Sequence, residues 1–240
     1  MAEPENLIIR TWTQDAWTFV RERSVTIDMT AGEKLCRDGD PFTHFIFPQT
    51  GILSVLSAVA GERAVEVLSV GREGFFGLPL LSYGLNCEGD VVGLVSGSAT
   101  HVPRINLQEA FTQYSCVRQS MLRYGRFLDQ ILMQAIACAK NNRADRSIAL
   151  WLLTAMDRLQ HADIPITHET LSNLLGLRRA TVTTALSKFA REGIVETERG
   201  VIRISDRARL EPLGGEYYRK WRGAFEELSV IIPVFMPPFP

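Results

Sequence analysis

The side chains whose types and spacing could do chemistry gather between Thr167 and Gly200. In a helix begun at Arg179, the residues Arg179, Ala180, Thr183, Thr184, Ser187 and Lys188 share one face, and Val182, Ala185, Leu186 and Phe189 share the other. Small side chains let such a helix enter the major groove of DNA, where an arginine donates two hydrogen bonds to O6 and N7 of a guanine. Arg179 is the candidate base reader, and Arg178 and Thr181 are placed for neighbouring phosphates. This is recognition chemistry, in which no bond is broken.

Candidates for bond-breaking chemistry are poor. The 4 histidines, His44, His101, His161 and His168, are scattered, and neither Gly-x-Ser-x-Gly, His-Glu-x-x-His nor a phosphate-binding loop occurs. His101 reads as a surface or satisfied interior residue. Gly71, Gly74 and Gly77 repeat every third position but read as turns. The 4 cysteines, Cys36, Cys87, Cys116 and Cys138, form no Cys-x-x-Cys pair and lack histidines at metal-ligand spacing, so reduced thiols and no metal are expected. An enzyme is not expected.

The elements around the basic residues fit a recognition role. Thr167 is placed to cap a helix whose inner face is Leu171, Leu174 and Leu175, with Glu169 in its first turn. Gly176 ends that helix, Leu177 and Arg178 turn the chain, and a second helix runs from Arg179 to Arg191. Gly193 then closes it, and Ile194 to Thr197 and Val201 to Ile204 flank a turn carrying Arg199, the pattern of a two-stranded wing. Helical hairpins with exposed arginines are common structural elements. Helix, glycine turn, basic helix and wing in this order make a winged helix-turn-helix.

Upstream the pattern changes. From Thr26 to Ile105 short apolar runs alternate with turn residues every ten or so positions, which predicts an antiparallel barrel or sandwich. From Tyr114 to Cys138 the pattern is helical, with Tyr114, Val117, Met121, Tyr124, Leu128, Ile131, Ala135 and Cys138 at alternating steps of 3 and 4. Such a 3.5-residue period is the pattern of a coiled-coil seam, so these eight positions are the expected dimer interface. A second stripe, Leu122, Leu132 and Ile136, is expected to lie on its own domain. A further helix is expected over Arg143 to Leu159, followed by a polar stop. The expected organisation is α+β: residues 1–112 an antiparallel β-roll with an N-terminal helical segment, 113–140 a long dimerisation helix, 141–229 the winged helix-turn-helix, and 230–240 an apolar proline-rich tail packed on the protein.

Composition agrees with a folded chain divided in charge. The 240 residues are 46% hydrophobic and carry a formal net charge of −1, which excludes intrinsic disorder and a uniformly basic nucleic-acid coat. The balance is −4 over residues 1–139 and +5 over residues 140–222, the asymmetry of an acidic sensing or scaffolding part joined to a nucleic-acid-binding part. Chance asymmetry would produce the same count. No apolar run reaches membrane-spanning length and the N-terminus lacks the pattern of a signal peptide, so a cytoplasmic location without membrane partner is expected.

The chain resembles the Crp–Fnr family of bacterial transcription regulators from about residue 24 to residue 213. "AGEKLCRDGDPFTHFIFPQTGILSV" is similar to the opening of the family's cyclic-nucleotide-binding-type β-roll, and "LSNLLGLRRATVTTALSKFAREGIV" to its helix-turn-helix. "GREGFFGLPLL", "RSIALWLL" and "DRARLE" resemble a subgroup not named for any ligand. The resemblance implies a homodimeric regulator on a palindromic site in double-stranded DNA, with RNA polymerase as a further partner of an activator. Departures matter. Where cyclic-nucleotide binders have Gly-Glu-Leu and then Arg, Ser or Thr, and Ala, this chain has Gly77-Leu78-Pro79 and Asp90-Val91-Val92, and no Lys or Arg occurs from Glu73 to Pro103. A cyclic phosphate would find acidic groups where it needs a cation, so no cyclic nucleotide and no other cofactor is expected. The family's N-terminal iron–sulfur cysteines are also missing. In the recognition helix the Glu and second Arg of the cyclic-nucleotide-responsive members are Ala180 and Thr184, which points to a different DNA sequence. An apolar effector in the β-roll or near the helix seam, and control by abundance, remain open. A second reading is a regulatory ligand-binding module of the cyclic-nucleotide-binding class without a DNA-reading role, although Arg179 and the wing would then have no purpose.

Overall fold

The structure, a computed structural model, describes residues 3–58, 64–81, 86–140 and 144–228. Two short helices, α1 (Leu7–Arg10) and α2 (Gln14–Arg21), precede seven strands: β1 (Val25–Met29), β2 (Lys34–Cys36), β3 (His44–Pro48), β4 (Ile52–Ser57), β5 (Val65–Val70), β6 (Asp90–Val95) and β7 (Gly97–Pro103). They form two antiparallel sheets, ordered β1-β7-β3 and β2-β6-β4-β5. The seven strands coincide with the apolar runs of the sequence. The inward rings include Phe45, which pairs in register with Val102, and Phe47, stacked on Phe75 at 4.7 Å between centroids. Phe42 meets Phe45 edge-on at 4.9 Å, so the interior of the roll is filled by aromatic side chains.

Helix α3 (Arg104–Gln113) leads into the long α4 (Ser115–Lys140), and α5 (Ala144–Leu159) follows. The C-terminal part contains β8 (Asp163–Ile164), α6 (His168–Leu174), α7 (Arg179–Arg191), β9 (Val195–Glu198), β10 (Val201–Ile204) and α8 (Arg207–Leu228). Helix α8 is broken at Gly215, whose φ of 62° and ψ of −147° only glycine adopts readily. The wing has three strands, ordered β8-β10-β9, and not two. The polar stretch taken as a helix stop supplies the third, because Asp163 pairs with Arg203 in register and through an ion pair of 2.5 Å. Residues 230–240, expected as a packed tail, and Arg143, expected to begin α5, lie outside the described residues.

Much of the expected dimer seam packs against its own chain. Val117, Met121, Tyr124 and Leu128 are buried within their own chain, Tyr114 and Ile131 are half-buried against the same core, and Ala135 is exposed. The side chain of Cys138 lies outside the described residues. The cause is an intramolecular row of rings: Phe75 meets Tyr124 at 4.9 Å, Tyr124 meets Phe127 at 6.0 Å, and Phe127 meets Trp221 of α8 at 6.4 Å. Gly74 permits it, since a Cβ there would lie 2.2 Å from the Tyr124 ring. The second stripe, expected on the domain, faces outward instead: Leu122 is 54% exposed, Leu132 43% and Ile136 60%, with Met133 at 66%.

The expectation of reduced cysteines is also corrected, because Cys36 and Cys87 form a disulfide. The amide of Cys87 donates to Asp40 O and that of Gly39 to Cys87 O, so the loop after β2 and the segment before β6 lie together. A separation of 51 residues concealed that proximity. Cys116 carries a free thiol.

Candidate nucleic-acid interface

Local signals build α6 and α7. The Thr167 side chain accepts from the Thr170 amide and caps α6, whose Leu171 and Leu174 are buried. Gly176, at a φ of 62°, supplies the left-handed residue that ends it, and Leu177 N donates to Ser172 O at 2.9 Å. Arg178 stands in extended conformation at the N-cap of α7. Val182, Ala185, Leu186 and Phe189 fix the inner face of that helix in the core. Its geometry leaves the opposite face bare.

Arg178, Arg179, Ala180, Thr181, Thr183, Thr184, Ser187 and Lys188 are all exposed, and so is Arg199 at the tip of the wing. The residues singled out as DNA-contacting are thus all left accessible, eight of them on or beside α7 and Arg199 on the wing. Two of the cations have acidic neighbours. Arg179 Nη1 lies 4.0 Å from Glu169 Oε2 and Lys188 Nζ lies 3.2 Å from Asp145 Oδ2, each pair well exposed. Exposed pairs contribute about 0–1 kcal/mol, so either cation can leave its neighbour for a base edge or a phosphate at little cost. The Lys188 pairing spans 43 residues of sequence and had no local signal. His168 Nδ1 lies 3.3 Å from Thr183 Oγ1. Burial, and then the Arg179 charge, hold the pKa of His168 below its ordinary value, so the ring is neutral near neutral pH.

In the β-roll, the two segments that stand where a phosphate cassette was sought are otherwise engaged. Gly77-Leu78-Pro79 runs into a 3-10 turn over Leu78–Leu81. Asp90 is held by Lys34 Nζ at 2.7 Å and accepts the Asp38 amide, and these hydrogen bonds keep its carboxyl below the usual carboxylate range. His101 is half-buried and its Nε2 has no hydrogen-bond partner among the described residues. No group of His, Cys, Asp and Glu among the described residues could hold a metal ion, and no described helix is long and apolar enough to cross a membrane.

Residues 147–213 match the model of the Crp-like helix-turn-helix domain, which spans the capped helix, the glycine turn, the recognition helix and the wing. The chain carries a Crp-like helix-turn-helix domain. Over 194 residues, the chain is 24% identical to the transcriptional activator protein FnrA of Stutzerimonas stutzeri, covering 77% of this chain and 78% of that one. The fold is similar to that of FixK2 from Bradyrhizobium japonicum, with a TM-score of 0.68 at 18% identity over 79% of this chain and 96% of that chain. It is also similar to a Crp-family transcriptional regulator from Thermus thermophilus, with a TM-score of 0.64 at 19% identity over 79% of this chain and 97% of that chain. The Crp–Fnr architecture, an antiparallel β-roll, a long helix and a C-terminal helix-turn-helix, is therefore the one this chain adopts.

Proposed function

We propose that the chain is a Crp–Fnr-type transcription regulator that acts in the cytoplasm as a homodimer and reads a palindromic site in double-stranded DNA, with Arg179 specifying a guanine in each half-site. The observation that carries the reading is the exposed row from Arg178 to Lys188, backed by the buried Val182, Ala185, Leu186 and Phe189. Arg178 and Arg199 supply phosphate contacts, and Thr183, Thr184 and Ser187 line the base edges. Activation, as distinct from repression, adds RNA polymerase as a partner. The reading keeps three units, 1–112, 113–140 and 141–229.

The dimer contact we assign to the outward stripe of α4. Leu122, Leu132 and Ile136 expose apolar surface along one helix face, with Met133 beside it, and a two-fold partner helix would bury it at roughly 25 cal/mol per Å². The regulator works without a cyclic nucleotide. The aromatic filling of the roll, the missing cation from Glu73 to Pro103 and the engagement of Asp90 with Lys34 all support this.

Selection of bound DNA from a random pool tests the whole reading. Recovery of an inverted repeat with a guanine in each half supports it, and recovery of no common sequence overturns it.

A further inference from the structure

A cavity of about 380 Å³ lies where the outer face of β5, the C-terminal half of α4, α5 and the helix-turn-helix meet. That volume is in the range of small-molecule sites. Leu68, Ala135, Trp151, Leu177 and Trp221 give it largely apolar and aromatic walls. Two charged side chains line it, Arg158 and Glu66, and they are not equivalent. The Arg158 guanidinium is already committed: Nε meets Glu73 Oε1 at 2.7 Å and Nη2 donates to Ser69 O at 3.1 Å. Glu66 accepts only neutral donors, Trp151 Nε1 at 3.0 Å and Ser54 Oγ at 2.5 Å, and forms no ion pair among the described residues. Ser69, in the same wall, keeps a buried Oγ with no hydrogen-bond partner among the described residues.

A half-buried carboxylate without a cation, bonded to the Trp151 indole in a largely apolar cavity, is the setting that favours an organic cation with a flat apolar body. We propose that the cavity binds a small planar aromatic amine, its ring against the tryptophan-lined wall and its ammonium on Glu66. The occupant would touch β5, α4 and the Leu175-Gly176-Leu177 turn that directly precedes Arg178. Gly176 packs closely on the roll here, a Cβ at that position falling 3.4 Å from Val65 Cγ1. A ligand bridging these three elements changes the freedom of the reading head relative to the roll, so the site regulates DNA affinity. Only this last step rests on the DNA-binding function proposed above.

Calorimetry on the full chain without DNA separates the two. Tryptamine, indole and indole-3-acetate share a ring and differ in charge. Tryptamine is expected to bind about tenfold more tightly than indole, the value of one charge-assisted hydrogen bond, and indole-3-acetate more weakly than indole. Glu66→Gln should reduce tryptamine to the level of indole while leaving indole binding unchanged, which also reports that the variant is folded. Ala135→Phe, at an exposed helical position lining the cavity, should abolish binding of both. Equal affinity for the three compounds, or tryptamine binding that survives Ala135→Phe, overturns the site. With the site established, saturating tryptamine should shift affinity for the selected DNA, and unchanged affinity would overturn its regulatory role.

Discussion

Arg158 of α5 and Glu73 of the roll form an ion pair of 2.7 Å in which the side chains are 5% and 1% exposed. The two residues are 85 positions apart. The same guanidinium donates to Ser69 O and lies 5.2 Å from the centre of the Trp221 ring, while Glu73 accepts the Gly71 amide. One buried charge pair therefore fastens the C-terminal helices to the β-roll.

Removing one partner leaves the other charge buried and unpaired, which costs about 3–5 kcal/mol. Glu73→Gln and Arg158→Met should each lower the midpoint of urea unfolding by a shift equivalent to that loss. The double variant Glu73→Leu with Arg158→Met should recover much of the loss, because no uncompensated charge remains. Equal destabilisation by the single and double variants would show that packing at the site, and not charge, decides its stability.

The two stripes of α4 should respond oppositely to charge. Leu132→Glu or Ile136→Glu, on the exposed face, should give a folded monomer in sedimentation with an unchanged helical circular-dichroism signal. Leu128→Glu, on the buried face, should unfold or strongly destabilise the chain, because the carboxylate would have to be desolvated. A folded monomer from Leu128→Glu together with an intact dimer from Ile136→Glu would reverse the assignment.

Acid should weaken the fold in part through His101. Burial first, and the neighbouring His44 second, depress its pKa below the ordinary 6.5. The unfolded chain then binds a proton that the folded one refuses, so stability is full above the unfolded pKa and falls as the pH drops below it, by at most about 1.4 kcal/mol per pH unit for one group. His168 is shifted in the same direction, by burial and then by Arg179, and contributes with the same sign. Urea midpoints between about pH 7.5 and pH 5.5 should fall less in His101→Leu than in the parent chain. An unaltered slope would remove His101 from the account.

Local structure was legible where its cause is local. Thr167, Gly176 and Gly193 mark helix ends by capping and by positive φ, and α7 runs from Arg179 to Arg191 as its periodicity predicts. The exposed basic row followed from the same 3.6-residue geometry. The apolar period of α4 was read as a seam for a partner helix, but a groove in the same chain demands the same stripe. The Phe75, Tyr124, Phe127 and Trp221 row occupies that stripe from within the chain, and those rings are brought together from distant parts of it. The Cys36–Cys87 bond, the Arg158–Glu73 pair and the Asp163–Arg203 contact are likewise long-range and leave no periodic trace.

Cyclic AMP and cyclic GMP should produce no heat in calorimetry at micromolar protein, because the roll offers Asp90 already paired with Lys34 and an interior filled by Phe42, Phe45, Phe47 and Phe75. Micromolar affinity for either would require a phosphate site elsewhere in the chain.

The central claim, that α7 reads DNA through Arg179, is tested most directly by fluorescence anisotropy with the selected palindrome and with a version changed at one guanine per half-site. The parent chain should discriminate between the two by about 1–3 kcal/mol per half-site, the value of a bidentate arginine–guanine contact. Arg179→Ala should bind both sequences alike and unfold at the same urea concentration as the parent, since the side chain is exposed on the face opposite Val182 and Phe189. Discrimination that survives Arg179→Ala would contradict the account.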